Sequence, residues 1–394
     1  MLRLALILGL LSAVGPFAID MYLPALPRIA EALSANEAAV QITLTTYFIG
    51  FGLAQLIYGP MADALGRKAP LLLGLAIFAI GSVGAAQAGT IASLATWRAI
   101  QGLGGAALMV VPRAIIRDRY TGNEATKLMA MIMLVISISP MLAPLAGSAV
   151  IAVADWRMIF YVLLATSILS ILLLTFALEE TLAPDNRRPQ RIAPLLSGAK
   201  RLLRDPYFMG LTFVGGFGMA SFFVFIASAS FVYTQQFGLT PTGFSIAFAV
   251  NAIGFFGASQ VASPLGARIG IEKLVRIGVT GFAAMTVLLA LIALAGLASF
   301  PVIVIGLLVA NAFLGLVIPT TMVLALDPHG DIAGLASSLG GTMQMLAGGL
   351  MIVAIGPFFD GTALPMLLAI GLCGIVAAGL GWAVLRPDRT AREA

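Results

Sequence analysis

Two ionisable side chains, Asp20 and Arg98, stand inside long apolar runs of this 394-residue chain. A charge is costly to bury in such surroundings, so an acid or a guanidinium kept there is a candidate for handling ions or protons. At a helical rise of about 1.5 Å per residue, Asp20 lies about 25 Å beyond Arg3 and Arg98 about 28 Å before Arg117, so the two can share one level. Two readings stand side by side. An aspartate whose access to an arginine alternates can take up and release a proton, with Asp20 as the carrier and Arg98 as its tuning partner. Alternatively, a permanent ion pair pins the first helix to the fourth. The apolar runs of the second half hold no deep acid, which favours Asp20 as the carrier by elimination.

Other chemistries find little support. Cys373 is the single cysteine and lies in an apolar run, so neither an intrachain disulfide nor a cysteine metal cluster is possible. His329 is the single histidine, and in the loop Asp327-Pro328-His329-Gly330-Asp331 it reads as a solvated residue with no partner for metal or general-base work. A phosphate-cradling Gly-Lys-Ser/Thr motif is missing, which argues against an ATP-driven pump. The longest polar stretch carries no catalytic constellation, and no sizeable soluble domain accompanies it, so a membrane enzyme or receptor is disfavoured.

The elements that position Asp20 and Arg98 follow from composition. The chain is 60% hydrophobic and 10% charged, with a mean hydropathy of +1.04. A soluble globule has no interior large enough for that much apolar surface, whereas a bilayer accepts it on every outward face. Twelve apolar segments of spanning length are marked at 4–26, 42–62, 70–88, 92–112, 128–151, 157–178, 207–234, 243–264, 274–297, 301–325, 333–357 and 363–385. Helices are implied, giving an all-α integral membrane fold. The first run is longer than the apolar core of a signal peptide and contains Asp20, so it reads as a permanent span.

Lysine and arginine set the orientation. With a cytoplasmic N-terminus, the inner side receives Arg3, Arg67, Lys68, Arg113, Arg117, Arg119 and Lys127, then the linker cations Arg187, Arg188, Arg191, Lys200, Arg201 and Arg204. The second half adds Arg268, Lys273, Arg276, Arg386, Arg389 and Arg392, while Arg28 and Arg157 alone fall outside. Both termini are then cytoplasmic. This arrangement explains the net charge of +5 better than nucleic-acid binding, for which no basic cluster with interleaved aromatics exists. The expected organisation is an N-terminal six-helix half over 1–178, a cytoplasmic linker over 179–206, a C-terminal six-helix half over 207–385 and a cytoplasmic tail over 386–394. A shift of 204 residues lays Ile49-Gly50-Phe51 on Ile253-Gly254-Phe255, Pro60 on Pro264 and Gly66 on Gly270, as a parallel repeat would.

Between the second and third spans runs Gly59-Pro60-Met61-Ala62-Asp63-Ala64-Leu65-Gly66-Arg67-Lys68. Its glycines permit a tight turn and close helix approach, and Arg67-Lys68 fix topology. The stretch resembles the GxxxDxxGRK signature of the major facilitator superfamily. That resemblance implies a cytoplasmic gate motif of Gly59, Asp63, Gly66, Arg67 and Lys68, with Asp63 helping to latch the two halves. A solvated turn is the plain alternative. The second copy, Ser263 to Gly270, has Ala267 where the acid would stand, so any latch is asymmetric. In the fourth span, Arg98-Ala99-Ile100-Gln101-Gly102-Leu103-Gly104-Gly105-Ala106 resembles the RxxQGxGxA signature of proton-coupled drug exporters. In the fifth, Pro140, Pro144 and Gly147 resemble a variant of the proline-glycine antiporter signature, whose bends and small residues equally serve packing.

The first span, Ala18-Ile19-Asp20-Met21-Tyr22-Leu23-Pro24-Ala25-Leu26-Pro27, resembles the Bcr/CflA group of drug exporters, and Gly334 to Gln344 agrees. That resemblance implies a proton-coupled antiporter exporting compounds of the bicyclomycin, chloramphenicol and florfenicol type by alternating access. A proton-coupled carrier of a single metabolite, such as an amino acid or nucleoside, is the competing expectation. Tyr47, Phe51, Phe222, Phe225, Asn251, Asn311 and Gln344 are the aromatic and amide candidates to line a mainly apolar substrate cavity. The expected partners are a small drug-like molecule, protons and the lipid bilayer, with no nucleic acid, no metal and no cofactor beyond a proton gradient. A single buried acid beside an arginine is a poor sodium cage. A monomer in a bacterial inner membrane is expected.

Overall fold

A computed structural model describes residues 2–120, 122–187 and 192–385. The predicted tail 386–394 and the linker residues 188–191 lie outside them. Among the described residues there are fourteen α-helices and no strand. Helices satisfy every backbone group within one segment, which is what an apolar solvent demands.

The first unit, Met1–Leu195, holds α1 (Leu2–Asp20), α2 (Leu26–Ala32), α3 (Glu37–Leu65), α4 (Lys68–Ala86), α5 (Ile91–Arg119), α6 (Gly122–Val153) and α7 (Arg157–Ala177), together with the start of α8 (Ile192–Arg204). The second unit, Leu196–Ala394, holds the rest of α8 and then α9 (Pro206–Phe231), α10 (Pro241–Ile269), α11 (Ile271–Leu294), α12 (Phe300–Leu326), α13 (Ala333–Ile355) and α14 (Ala363–Val384). Eleven segments among the described residues are long and apolar enough to cross a membrane. One of them, Phe300–Phe358, contains both α12 and α13, separated by a tight turn at Asp327–Ile332.

Side-chain caps set several helix starts. Asn36 accepts from the Ala39 amide at 2.8 Å before α3, Thr90 from Ser93 at 3.2 Å before α5, and Thr240 from Gly243 at 3.1 Å before α10. Each supplies an acceptor to an amide that the first helical turn leaves unpaired.

The two units pack alike internally. In the first, α3 and α4 lie on α5, α4 lies on α7, and α1 lies on α6. In the second, α10 and α11 lie on α12, α11 lies on α14, and α9 lies on α13. Glycine makes the tightest crossings: a Cβ on Gly50 would sit 2.4 Å from the Ala99 carbonyl oxygen, and one on Gly254 2.5 Å from that of Leu308. Gly66 and Gly270 both take positive φ, at 91° and 89°, where α3 turns into α4 and α10 into α11. Both pairs stand 204 residues apart.

Two elements differ from the sequence expectation. The first span breaks at Asp20, passes through a 3-10 turn over Leu23–Ala25 and resumes as α2, with Pro24 and Pro27 each in the first turn of its segment, where a missing N–H costs nothing. The stretch Gly59 to Lys68 is mostly helix: α3 runs through Gly59 and Pro60 to Leu65, leaving Gly66 and Arg67 as the turn.

Candidate functional site

Arg98 is wholly buried at the meeting of four helices. Its Nη1 donates to the Ala18 carbonyl in the last turn of α1 at 3.0 Å and to Gln101 Oε1 at 2.5 Å. Carbonyls in a last turn lack helical donors, so the guanidinium serves as a cap for α1. Gln101 Nε2 in turn donates to Ser82 Oγ on α4 at 2.8 Å, and Ser82 donates to the Phe78 carbonyl at 2.8 Å. Aromatic faces complete the setting: the guanidinium carbon lies 4.6 Å from the Tyr22 ring centroid, 4.5 Å from that of Tyr47 and 5.9 Å from that of Phe160. Ring faces carry negative potential, so they stabilise a cation with little water present. The rings are themselves held, Tyr22 by a hydroxyl bond with Thr43 Oγ1 at 2.8 Å and Tyr47 by donation to the Gly15 carbonyl at 3.3 Å. Two donors of Arg98, Nε and Nη2, have no partner.

Asp20 closes α1, 4% exposed, and makes no ion pair or hydrogen bond among the described residues. Arg98 grips the backbone two residues earlier, at Ala18, and leaves the carboxyl of Asp20 alone. The permanent Asp20–Arg98 ion pair of the alternative reading is therefore not formed in this structure. Depth along the helix placed the two residues at one level, but azimuth turns the guanidinium to the rings.

Helix α6 seats this end of α1. A Cβ on Gly147 would lie 2.1 Å from the Met21 carbonyl oxygen, so only glycine lets α6 approach the break beside Asp20. Gly102 plays the same part between α5 and α3, where a Cβ would lie 2.2 Å from the Tyr47 carbonyl oxygen. Pro140 and Pro144 are buried within α6, which runs through both.

The turn between α3 and α4 is held by carboxylates from elsewhere in the first unit. Arg67 bonds Asp63 at 2.6 Å and Asp118 through two contacts of 2.7 and 3.0 Å. Glu180 accepts from the amides of Arg67 at 2.9 Å and Lys68 at 3.1 Å, capping α4, and also from Thr181 and Leu182. Burial pushes the Glu180 carboxyl up, but the amides of Arg67, Leu182, Lys68 and Thr181 outweigh it and hold the group below the usual carboxylate range. Gly66 is required twice here, by its φ of 91° and because a Cβ would meet Glu180 Oε2 at 2.6 Å. Lys68 Nζ reaches the Thr175 carbonyl at 3.3 Å. Gly59 lies in helix with open space around it.

The substrate candidates divide between the units. Tyr47 and Phe51 are buried beside Arg98's helix, their rings stacked at 6.0 Å. In the second unit, Phe222 stacks on Phe255 at 5.3 Å and Phe225 on Phe248 at 5.5 Å. Asn251 donates to the Ala247 carbonyl at 3.1 Å and leaves Oδ1 without a partner, as Asn311 leaves Nδ2. Gln344 is half-buried near Gly215.

His329 departs from the solvated reading. It is 4% exposed, bonds Asp205 Oδ2 through Nε2 at 2.8 Å, and meets the Phe208 ring edge-on at 5.6 Å. Residues that the sequence reading did not single out for the site are Tyr22, Ser82, Phe160, Asp118 and Glu180. Tyr22 stood inside the quoted first-span motif, and the Glu179-Glu180 pair after the sixth span was the legible sign of a cap.

A model of the Major Facilitator Superfamily matches residues 8–352. The chain belongs to that superfamily. Its members and relatives here are transporters, not enzymes. Uncharacterized MFS-type transporter YdgK of Bacillus subtilis (strain 168) is 36% identical over 368 residues, 93% of this chain and 91% of its own. Bicyclomycin resistance protein homolog of Haemophilus influenzae is 30% identical, covering 94% and 93%. Chloramphenicol resistance protein of Pseudomonas aeruginosa is 29% identical, covering 88% and 80%. These relatives bear out the Bcr/CflA resemblance read from the sequence. Among solved structures, the xylose transporter XylE from E. coli superposes with a TM-score of 0.75 at 15% identity over 97% of both chains. The human organic anion transporter MFSD10 (TETRAN) superposes at 0.68 and 18% identity, over 97% and 98%. At those identities the likeness is one of fold.

Proposed function

We propose that this major facilitator protein is a proton-coupled antiporter of the bacterial inner membrane that exports small drug-like compounds by alternating access, without a cofactor and as a monomer. The names of its relatives, resistance to bicyclomycin and chloramphenicol among them, support that substrate class. The observation that carries the coupling is the state of Asp20: an acid buried at the end of α1 with no ion-pair partner to lock its charge, two residues beyond the Ala18 carbonyl that Arg98 holds, while two donors of that guanidinium stay unpartnered. Asp20 is the proton carrier in this reading, and Arg98 holds the helix end that presents it. This reading counts α12 and α13 as two spans in place of the single segment Phe300–Phe358, which makes twelve, and the lysine and arginine bias supports two cytoplasmic termini. Residues 1–178 and 207–385 are the alternating halves, joined by 179–206.

The test is chloramphenicol accumulation in energised inside-out vesicles with an internal pH dye, comparing the native chain with Asp20→Asn. Drug uptake that requires the proton gradient, releases protons and disappears in the variant supports the proposal. A native chain that moves no drug across a broad panel overturns drug export in favour of a single-metabolite carrier. A variant that still exchanges protons for drug removes Asp20 from the role.

A further inference from the structure

An open groove of about 600 Å³ lies on the second unit between α11, the middle of α12 and the end of α14. Two cations, Lys273 and Arg276, stand at one end of it, and neither makes an ion pair among the described residues. Arg276 also keeps an Nε donor that is buried without a partner. Beside them Trp382 donates its indole N–H to Thr280 Oγ1 at 3.0 Å, with the Arg276 guanidinium 5.7 Å from its ring centroid. Thr280 is fixed by donation to the Arg276 carbonyl at 2.7 Å, so tryptophan, threonine and arginine form one unit. Gly281 and Phe313 line the groove together: a Cβ on Gly281 would lie 2.4 Å from the Phe313 ring, so only glycine lets that ring pack against α11 here.

Beyond the polar end the surroundings turn apolar. On α11, Ile277, Leu288 and Leu291 are 44%, 49% and 57% exposed at spacings that share one helix face. On α14, Leu372 and Ile375 are each 55% exposed. The two helices are clamped together, since a Cβ on Gly374 would sit 2.3 Å from Thr286 Oγ1, so the paired surface is a fixed one. A cationic head with a tryptophan at its rim and a long apolar run beneath is complementary to an anionic amphiphile.

We propose that this groove binds the headgroup phosphate of an anionic phospholipid through Lys273 and Arg276, with an acyl chain lying along Ile277 and the apolar face beyond it. A free anion satisfies the cations but leaves the apolar run uncovered; a zwitterionic lipid covers the run but brings its own ammonium group to Arg276. Only an anionic lipid meets both demands.

The chain has three tryptophans, so Trp97→Phe with Trp156→Phe leaves Trp382 as the reporter. In nanodiscs, brominated phosphatidylglycerol is expected to quench Trp382 at a mole fraction on the order of tenfold lower than brominated phosphatidylcholine, and Lys273→Gln with Arg276→Gln to erase that preference. Equal quenching by the two lipids, or a preference that survives the double substitution, overturns the proposal. The native chain in detergent provides an independent reading: added phosphatidylglycerol should raise its thermal midpoint where inorganic phosphate at the same concentration does not. A shift reproduced by phosphate assigns the site to a free anion and removes the lipid.

Discussion

The guanidinium of Arg98 rests 4.5 Å from the ring centroid of Tyr47, and this stacking, together with the bond to the Ala18 carbonyl, sets the position of the end of α1. The arrangement asks for a planar cation. One nitrogen serves both Ala18 and Gln101 while the flat face lies against the rings of Tyr22 and Tyr47. A lysine ammonium keeps the charge but has no flat face to lie between the two rings.

Arg98→Lys is accordingly expected to lower the initial rate of proton-driven drug uptake on the order of tenfold, in line with the loss of the guanidinium's planar stacking between desolvated rings. Tyr47→Phe keeps the ring and loses only the donation to the Gly15 carbonyl, so it should retain most of the native rate. Rates in vesicles, normalised to protein content, decide it. A lysine variant as fast as the native chain leaves the stacking with no part in transport.

What the sequence could and could not say is visible around the same residues. Hydropathy located the apolar runs, and the motif around Arg98 and Gln101 found the side chains that meet in the first unit. It could not find their geometry. Helical rise fixes depth but not azimuth, so Asp20 and Arg98 read as a pair although the guanidinium turns to Ala18, Tyr22 and Tyr47. The stretch from Gly59 reads as the connection between two spans because its glycines permit a turn, yet α3 continues through Gly59 and Pro60 to Leu65, past the expected end of the span at 62. His329 read as solvated from its Asp-Pro-His-Gly-Asp surroundings; its partner Asp205 is 124 positions away, a contact that no local pattern announces.

Two signature glycines that look equivalent in sequence are expected to behave differently. At Gly147 an added methyl would stand 2.1 Å from the Met21 carbonyl oxygen, so α6 or the break after Asp20 must move. At Gly59 there is nothing within 4 Å, and the position is inside a helix. Gly147→Ala should therefore cost about 1–3 kcal/mol, as overpacking does. Gly59→Ala should be neutral or stabilise by up to about 1 kcal/mol, since alanine is the better helix former. Thermal unfolding in detergent separates them. Equal midpoints for the two variants would contradict the close approach of α6 to Met21.

The cap on α4 gives a prediction whose sign can be worked through. Glu180 accepts from the amides of Arg67 and Lys68, which begin the helix, and from Thr181 and Leu182 in its own segment. These donors hold its carboxyl below the usual range although burial opposes them. A group with a lowered folded pKa contributes its full stabilisation above its unfolded pKa and loses it as the pH falls through the folded one. The advantage of the native chain over Glu180→Gln should thus be constant, at about 1 kcal/mol for a helix cap, from pH 8 to pH 5. Below about pH 4 it should shrink, because the protonated acid no longer outdoes an amide as an acceptor. Paired thermal unfolding of the two proteins across that range measures the difference directly. A gap that widens on acidification would mean that Glu180 does not cap α4 as a carboxylate, and the turn at Gly66 would then rest on Arg67 and its bonds to Asp63 and Asp118.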